Sequence, residues 1–437
     1  MAAIFYPIIY FLIVISPLAV ILLTGPYTDH GMPYELGKAF AFTGFIIIAL
    51  QFVLSSRRKW IERHYGLDMI FSYHKALAVL AGVLILGHPV LLSLGLGNFQ
   101  LLTSLSLPWY IWLGKAALVL ILIQIIVSGF RINLHLGFEK WRFSHNIIGG
   151  LLLVGAFTHA IATSHSDLDI TAVQVLFTAI PVTGLFFYIH HKVILPARLK
   201  KNAYTISAVQ QQTHNVWTLE MRPPQGQKRY SYRPGQFHFI KLHRNKGLPE
   251  EEHHFTISST PTRSETVIST IKESGDFTST IGSTQKGDQV SIEAPFGRFS
   301  HLYHPEDKNF VFIAGGIGIT PLMSMLRYMR DKETDYNVLL VYANHTQKDI
   351  VFRQELDEMT KKGHPKLEII HVLDDPDETW EGETGFVDDQ IVSKYVDNFD
   401  DKAFYLCCPP PMRKAVLKIL KEKSVPNDRI RVEIFSL

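Results

Sequence analysis

The sequence predicts a multi-domain membrane protein, in which a six-helix transmembrane bundle is followed by an antiparallel β-barrel and an α/β domain with a parallel sheet. Among the 437 residues, only 20 of the first 200 are charged, whereas 63 of the remaining 237 are. Six apolar stretches of membrane-spanning length lie in the first part. In the second part, strand-like alternation gives way to alternating strands and helices. This pattern excludes a purely soluble enzyme and a disordered chain.

The six stretches predict transmembrane helices whose direction follows from the distribution of basic residues. The predicted spans are residues 4–24, 36–54, 71–96, 109–130, 142–163 and 171–190. Lys and Arg follow the second, fourth and sixth spans, whereas the alternate loops 25–35, 97–108 and 164–170 contain none. By the positive-inside rule, the N-terminus and everything after residue 190 are predicted to be cytoplasmic. The first stretch lacks a basic leader and is predicted to be a retained anchor in the cytoplasmic membrane.

Cysteine content and net charge exclude several further classes. The two cysteines, Cys407 and Cys408, are adjacent, so neither a disulfide framework nor a cysteine-rich metal or iron–sulfur site is possible. The net charge of +3 is too small and too scattered to indicate nucleic-acid binding. Expected partners are therefore membrane lipid and small molecules, and no nucleic acid.

Four histidines lie inside the third and fifth predicted spans with a common spacing. His74 and His88 are 14 positions apart, and so are His145 and His159. Fourteen residues are just under four helical turns, so each pair shares one helix face and is separated by about 21 Å along the axis. Because the two spans run in the same direction, His74 can face His145 and His88 can face His159. Facing imidazoles at two depths can bind two b-type haems, with one axial ligand from each side.

Two other interpretations of these histidines are open. They could form interhelical hydrogen bonds, or they could belong to a metal transporter. A transporter site would want carboxylates nearby, and the third and fifth spans contain none. Zinc ligands are also usually about one turn apart rather than four. The common register of all four residues favours the two haems.

The membrane part is predicted to cover residues 1–191 and is followed by a basic linker, 192–202. A barrel is predicted over 203–305 and an α/β domain over 306–437. Turn residues separate six short alternating strands, which is typical of a small antiparallel barrel. These strands are Tyr204–Val209, Val216–Met221, Gln236–Leu242, His254–Ser258, Thr266–Ile271 and Gln289–Glu293. In the α/β part, the predicted strands are Phe310–Ala314, Asn337–Ala343, Phe404–Cys407 and Ile430–Phe435, and the helices are Pro321–Arg330, one beginning near Asp349, and Pro411–Glu422. Alternation in the last strand predicts burial of Ile430, Val432 and Ile434.

A glycine-rich turn, Gly315-Gly316-Ile317-Gly318, joins the first of these strands to the first helix. Without side chains there, the phosphates of a ligand can approach the backbone amides at the helix N-terminus. Such a turn is by itself a weak motif, since many are only tight strand–helix connections.

The soluble part resembles the ferredoxin-reductase-like flavin and nicotinamide module in six motifs. They are Arg233-Pro234-Gly235-Gln236-Phe237, His253-His254-Phe255-Thr256-Ile257-Ser258, Ile271-Lys272 with Gly275-Asp276-Phe277-Thr278, Gly315-Gly316-Ile317-Gly318-Ile319-Thr320-Pro321, Cys407-Cys408-Pro409-Pro410, and Glu433-Ile434-Phe435. Two positions depart from the family pattern, because His254 replaces a proline and Cys408 replaces a glycine. With the predicted spans and paired histidines in front, the whole chain resembles the transmembrane ferric reductase and NADPH oxidase superfamily.

The resemblance implies a role for each motif. FAD is expected at residues of the barrel motifs: His253, Phe255, Thr256, Ser258, Lys272, Gly275 and Thr278. The nicotinamide nucleotide is expected at Gly315, Gly316, Gly318, Thr320, Pro321 and Pro409. Cys407 and Phe435 are expected at the site of hydride transfer, with Phe435 stacked on the flavin ring as a gate for the nicotinamide.

The implied function is a transmembrane oxidoreductase that moves electrons from cytoplasmic NAD(P)H through FAD and two haems to an acceptor outside. The strand Asn337–Ala343 ends without an acidic residue and is followed by Asn344, His345 and Lys348, which favours NADPH over NADH. Short outer loops with few charges favour O₂ as the acceptor. The alternatives are a ferric-chelate reductase and a relay subunit for a partner protein or quinone. Lys115 is expected either to pair with a haem propionate or to extend towards the membrane surface.

Overall fold

A computed structural model describes residues 2–24, 30–163, 171–244 and 247–434. It divides the chain into two units, Met1–Leu195 and Pro196–Leu437. The first unit is helical. The second contains two six-stranded sheets, one with antiparallel and one with parallel strand pairs.

The helical unit forms where the sequence is apolar for about 20 residues or more. Its helices are α1 (Ala2–Thr24), α2 (Gly31–Leu54), α3 (Lys59–Tyr65), α4 (Leu67–Gly95), α5 (Gln100–Thr103), α6 (Trp109–Gly129), α7 (Phe138–Thr163), α8 (Thr171–Ile189) and, across the unit boundary, α9 (Leu195–Lys201). Among the described residues, five helical segments are long and apolar enough to cross a membrane, and these include α2, α4, α6 and α7. The fifth is Gln174–Lys201, which continues from α8 through a π-helical turn, His190–Ile194, into α9. In α1, the apolar segment found is the shorter Phe5–Ser16, so a sixth span stays a prediction.

Helix α2 is the most buried helix of this unit, and glycines let its neighbours approach it closely. A Cβ atom at Gly44 would lie 2.9 Å from the side chain of Ile85 on α4. A Cβ atom at Gly184 of α8 would lie 2.6 Å from the carbonyl oxygen of Ala49 on α2. Many large apolar side chains on the other helices are exposed, as expected for surfaces that face lipid.

The first sheet of the second unit is antiparallel throughout, in the order β4-β3-β6-β1-β2-β5. Its strands are β1 (Tyr204–Thr213), β2 (Val216–Arg222), β3 (Phe237–His243), β4 (Glu252–Thr256), β5 (Val267–Lys272) and β6 (Gln289–Phe296). Alternate apolar residues such as Ile206, Leu219 and Ile240 are fully buried inside it. The antiparallel sheet predicted from alternation is therefore confirmed.

The second sheet is parallel throughout, in the order β10-β9-β8-β7-β11-β12. Its strands are β7 (Asn309–Gly315), β8 (Asn337–Asn344), β9 (Lys366–Leu373), β10 (Glu383–Thr384), β11 (Ala403–Cys407) and β12 (Ile430–Val432). The accompanying helices are α10 (Ile319–Asp331), α11 (Arg353–Lys362), α12 (Asp389–Tyr395) and α13 (Pro410–Glu422). Because β8 and β11 lie on opposite sides of β7, the strand order reverses at β7. Ligands of open α/β sheets bind at the carboxyl end of such a strand.

Two predicted elements differ from the structure. The helix expected near Asp349 begins at Arg353, because Phe352 has a left-handed backbone (φ 64°) that interrupts the helix after a short 3₁₀ turn. The last strand ends at Val432 instead of Phe435, and Ile434, predicted to be buried, is 36% exposed. The Glu433 N–H still bonds to the carbonyl of Leu406 on β11, but neither Glu433 nor Ile434 belongs to the strand, so Ile434 does not follow the burial pattern of β12.

Candidate functional site

The first histidine pair joins α4 to α7. The rings of His74 and His145 have their centroids 6.1 Å apart and their planes inclined by 65°. Two imidazoles that bind one metal ion through bonds of about 2 Å would have ring centres about 6 Å apart, so this pair could hold one metal ion between its two rings. Nδ1 of His74 is buried and has no hydrogen-bond partner among the described residues. Nδ1 of His145 lies 3.4 Å from the hydroxyl of Ser128.

The second pair is oriented by backbone carbonyls. Nδ1 of His88 lies 2.9 Å from the carbonyl oxygen of Gly37, and Nδ1 of His159 lies 2.7 Å from that of Tyr110. A carbonyl only accepts hydrogen bonds, so in both rings Nδ1 carries the proton and Nε2 is left as a metal ligand. Hydrogen-bonded metal ligands of this kind are usual in proteins, so each ring of the second pair is suited to bind a metal ion.

Gly114 on α6 provides the space in which the His159 ring lies. A Cβ atom at Gly114 would be 2.5 Å from Cε1, 2.7 Å from Nδ1 and 2.8 Å from Nε2 of that ring. The sequence alone does not point to Gly114, since a glycine in an apolar helix has no distinguishing local signal. The next residue, Lys115, donates to the carbonyl oxygens of Leu102 (3.2 Å) and Ser104 (3.5 Å), and so holds the end of α5.

In the barrel, the predicted flavin residues His253 and Phe255 gather beside one further aromatic ring. His253 stacks on Phe277 with centroids 4.2 Å apart, and Phe255 stacks on it at 6.5 Å. The Thr278 hydroxyl accepts the backbone N–H groups of Ser274 and Gly275, each at 2.9 Å. These two bonds shape the turn after β5, next to Lys272, the predicted flavin residue at the end of that strand. A half-buried aromatic surface next to a tight glycine turn fits a planar ring system that carries phosphates.

Three residues predicted to bind cofactors have buried side chains that pack internally. Ser258 is fully buried, and its hydroxyl lies 3.1 Å from that of Thr270 inside the barrel. The hydroxyl of Thr320 donates to the carbonyl of Ile317 at 3.0 Å and is buried within the first turn of α10, as is the ring of Pro321. These side chains stabilise the loops that a ligand would contact, because no part of them reaches the surface.

The three glycines of the predicted nucleotide loop have different surroundings. A Cβ atom at Gly316 would meet nothing within 4 Å, and its φ of +53° favours glycine. At Gly318 a Cβ atom would lie 2.0 Å from the carbonyl oxygen of Cys407, and at Gly315 it would lie 2.5 Å from Cδ of Pro409. Gly316 therefore borders open space at the carboxyl end of β7, whereas the other two permit close packing against the end of β11.

The role of Cys407 in hydride transfer stays a prediction, and the structure places its side chain away from the surface. Its side chain is 0% exposed and belongs to the core between β7 and the helices. Burial raises the pKa of its thiol well above the ordinary value, and burial also raises the pKa of Cys408 to about 11. Both thiols are therefore protonated at neutral pH. Phe435 lies outside the described residues, and its predicted role as a gate stays a prediction.

At the carboxyl ends of β8 and β9, the structure brings together residues that are far apart in the sequence. Asn344 is only 7% exposed, and both polar atoms of its amide lack a hydrogen-bond partner among the described residues. Next to it, Nδ1 of His345 lies 2.6 Å from Asp374, and Nε2 lies 3.6 Å from Asp375. The hydrogen bond to Asp374 raises the pKa of His345. An unsatisfied amide beside the glycine loop fits a nucleotide, and the acidic pair is a feature that reading β8 alone could not reveal.

The chain combines a membrane helix bundle, an antiparallel barrel and a parallel-sheet domain whose switch point suits a nucleotide. This combination defines a membrane-bound oxidoreductase that depends on flavin and nicotinamide. Three family matches agree with this class. Residues 40–156 match the ferric reductase like transmembrane component, residues 201–308 an FAD-binding domain, and residues 312–418 the oxidoreductase NAD-binding domain. The chain belongs to the ferric reductase and NADPH oxidase-like superfamily, with a ferredoxin-reductase-like module.

Individual curated relatives match only part of the chain. NADH-cytochrome b5 reductase 1 of Debaryomyces hansenii is 34% identical over 169 residues, which are 37% of this chain and 59% of the relative. The reductase component of propane 2-monooxygenase from Mycolicibacterium goodii is 30% identical over 244 residues, 53% of this chain and 66% of the relative. The chain thus spans less than two thirds of these relatives. Flavohemoglobin from Malassezia yamatoensis, solved with FAD and heme, shares the fold with a TM-score of 0.51 at 16% identity, over 94% of this chain and 99% of that one.

Proposed function

We propose that this chain carries electrons across a membrane, from NAD(P)H on the cytoplasmic side to O₂ on the other side. The observation that carries the proposal is the pair of histidine sites at two levels of the same two helices. His74 faces His145, and His88 and His159 are both held by carbonyls that leave Nε2 unprotonated. Bound there, two haems would provide single-electron acceptors at two depths of the membrane, and FAD in the barrel would convert hydride into single electrons.

The residues of the chain bind and orient these groups. His74, His145, His88 and His159 would hold the haems. His253 and Phe255 offer half-buried rings for the flavin, supported from beneath by the buried Phe277, and Thr278 shapes the turn for its phosphates. Gly316 leaves open space for the phosphates of the nucleotide at the N-terminus of α10, where backbone N–H groups favour negative charge.

The charges near Asn344 favour NADH as the nucleotide, against the expectation from β8 alone. Asp374 and Asp375 engage His345, which was expected to meet a 2′-phosphate. A carboxylate suits a free ribose 2′-hydroxyl and repels a 2′-phosphate. Several of the relatives are also named for NADH.

Two alternatives to O₂ follow from the family. The matched transmembrane family is described by ferric reductase, so a ferric chelate is the second candidate acceptor. A relay subunit for a partner protein or quinone is the third. Few charges on the predicted outer loops support a small neutral acceptor, since a bulky ferric complex would be better held by a basic or polar surface.

The test uses the purified full-length chain in detergent with NADH or NADPH. We expect a pyridine haemochrome assay to give two haems per chain, and cytochrome c reduction to be rapid and sensitive to superoxide dismutase. His88→Ala should lose one haem, whereas the matched change His64→Ala, at a histidine on the short helix α3, should lose none. One haem in the fully loaded wild type would refute the two-haem proposal. Reduction of a ferric chelate that is insensitive to dismutase would show that the chelate, and not O₂, is the acceptor. No reduction in either assay would indicate a relay subunit.

A further inference from the structure

A chain of buried hydrogen bonds crosses the barrel interior and ends on β4, the strand that carries the predicted flavin residues His253, Phe255 and Thr256. At its centre is His238 on β3, which is 0% exposed. Its Nδ1 lies 2.7 Å from the hydroxyl of Tyr230, and its Nε2 lies 2.6 Å from the hydroxyl of Ser269 on β5. The Ser269 hydroxyl in turn lies 3.0 Å from the carbonyl oxygen of Thr256, the last residue of β4.

The direction of every bond in this chain follows from its last link. The carbonyl of Thr256 can only accept, so the Ser269 hydroxyl donates to it and must accept from Nε2–H of His238. Nδ1 of His238 is then the acceptor of the Tyr230 hydroxyl. Burial lowers the pKa of His238 to about 3, which keeps the ring neutral and compatible with this single tautomer. Each donor in the chain therefore has one acceptor.

The far end of the chain is also anchored. The backbone N–H of Tyr230 donates to the hydroxyl of Tyr204 at 3.2 Å. At the near end, His238 lies directly opposite Phe255 in the register of β3 and β4. The bonds thus connect the start of β1 to the end of β4, where the aromatic flavin residues lie. Apolar side chains would fill a barrel interior at lower cost than a buried imidazole, so packing alone does not explain this residue.

We propose that His238 is a positioning residue for FAD, acting through Ser269 on the carbonyl of Thr256. By holding this carbonyl from inside the barrel, it sets the position of the end of β4 and therefore the orientation of Phe255 and Thr256 towards the flavin. The inference rests on the proposed function, from which the flavin roles of these two residues come.

The test compares variants of the full-length protein in detergent, after removal and re-titration of FAD. His238→Phe fills similar space without hydrogen bonds, and we expect about tenfold weaker FAD binding and a shifted flavin midpoint potential. His238→Gln offers one donor and one acceptor. It should restore the FAD affinity to within about threefold of wild type and the midpoint potential to close to the wild-type value. Ser269→Ala removes both bonds of the Ser269 hydroxyl, the one from His238 and the one to the carbonyl of Thr256. It should resemble His238→Phe, which keeps the test valid where the phenylalanine variant does not fold.

The matched control is Tyr232→Phe, which removes another buried bond of the same barrel, between Tyr232 and Ser259 at 2.7 Å. It should lower the unfolding temperature but leave the flavin potential unchanged. Wild-type affinity and potential in both His238→Phe and Ser269→Ala would overturn the inference, and so would a glutamine variant as impaired as the phenylalanine variant. A wild-type chain that binds no FAD would refute the proposed function itself, a result distinct from these.

Discussion

Substitution of Gly114 by alanine tests whether the His159 ring must stay where the structure places it. The new methyl group would lie between 2.5 and 2.8 Å from three atoms of the imidazole. Carbon atoms pack at about 3.5–4.0 Å, so the ring or the helix must move by about 1 Å. A shift of that size breaks or lengthens the bond from Nδ1 to the carbonyl of Tyr110, now 2.7 Å long.

The size of the effect follows from the lost hydrogen bond and the displaced ligand. Leaving a buried donor without its partner costs about 1–3 kcal/mol, and loss of the group that orients a metal-bound histidine lowers metal affinity about 10–100-fold. We therefore expect Gly114→Ala to lose most of one haem while His74 and His145 keep the other. The stoichiometry should fall from about two haems per chain towards one.

The assay is a pyridine haemochrome titration, with FAD content measured on the same sample as an internal reference. Gly155→Ala on α7 is the matched control, because its new Cβ atom would lie 3.6 Å from Leu113, an ordinary contact. It should keep both haems. Gly114→Ala with two haems and wild-type haem potentials would refute the reasoning about His159.

Three further changes test other parts of the chain. Gly316→Val should raise KM for the nucleotide at least about tenfold with normal FAD content, because its side chain enters the open space of the loop; an unchanged KM would show that phosphates bind elsewhere. Asp374→Ser with Asp375→Ser should shift the ratio of kcat/KM towards NADPH by about tenfold, and the same ratio as in wild type would contradict the proposed NADH preference. His301→Phe should make the stability of the protein less sensitive to acid. Burial lowers the pKa of His301 in the folded state to about 4, so between pH 6.5 and 4 only the unfolded chain binds a proton at this residue. The free energy of unfolding of the wild type therefore falls by about 1.4 kcal/mol per pH unit as the pH is lowered through this range. Melting temperatures at pH 5 and 7.5 measure this, and equal pH dependence in variant and wild type would argue against a buried neutral His301.

Much of the fold could be predicted because its signals are local. Hydropathy over about 20 residues located α2, α4, α6 and α7, since only a helix satisfies its backbone in lipid. Alternation located the strands of the barrel, and the change of period located the parallel sheet. The facing of His74 and His145 was also predictable, because a helix converts a sequence spacing into a fixed distance along its axis.

Contacts between distant segments could not be predicted in this way. His345 meets Asp374 across 29 positions, His238 meets Ser269 across 31, and His88 meets the carbonyl of Gly37 across 51. No local sequence pattern identifies the hydrogen-bond partner of His345, His238 or His88. For the same reason, Cys407 matched a site motif although its side chain lies in the core.

Local patterns in the sequence therefore predicted the classes of element, their order, and the facing of His74 and His145. Only the tertiary structure decided which side chains reach the surface, which ring nitrogens are left for a metal, and which charges surround the nucleotide loop. The physical reason is that periodicity records which face of an element is apolar. The identity of a hydrogen-bond partner instead depends on how two elements pack, to within a fraction of an ångström.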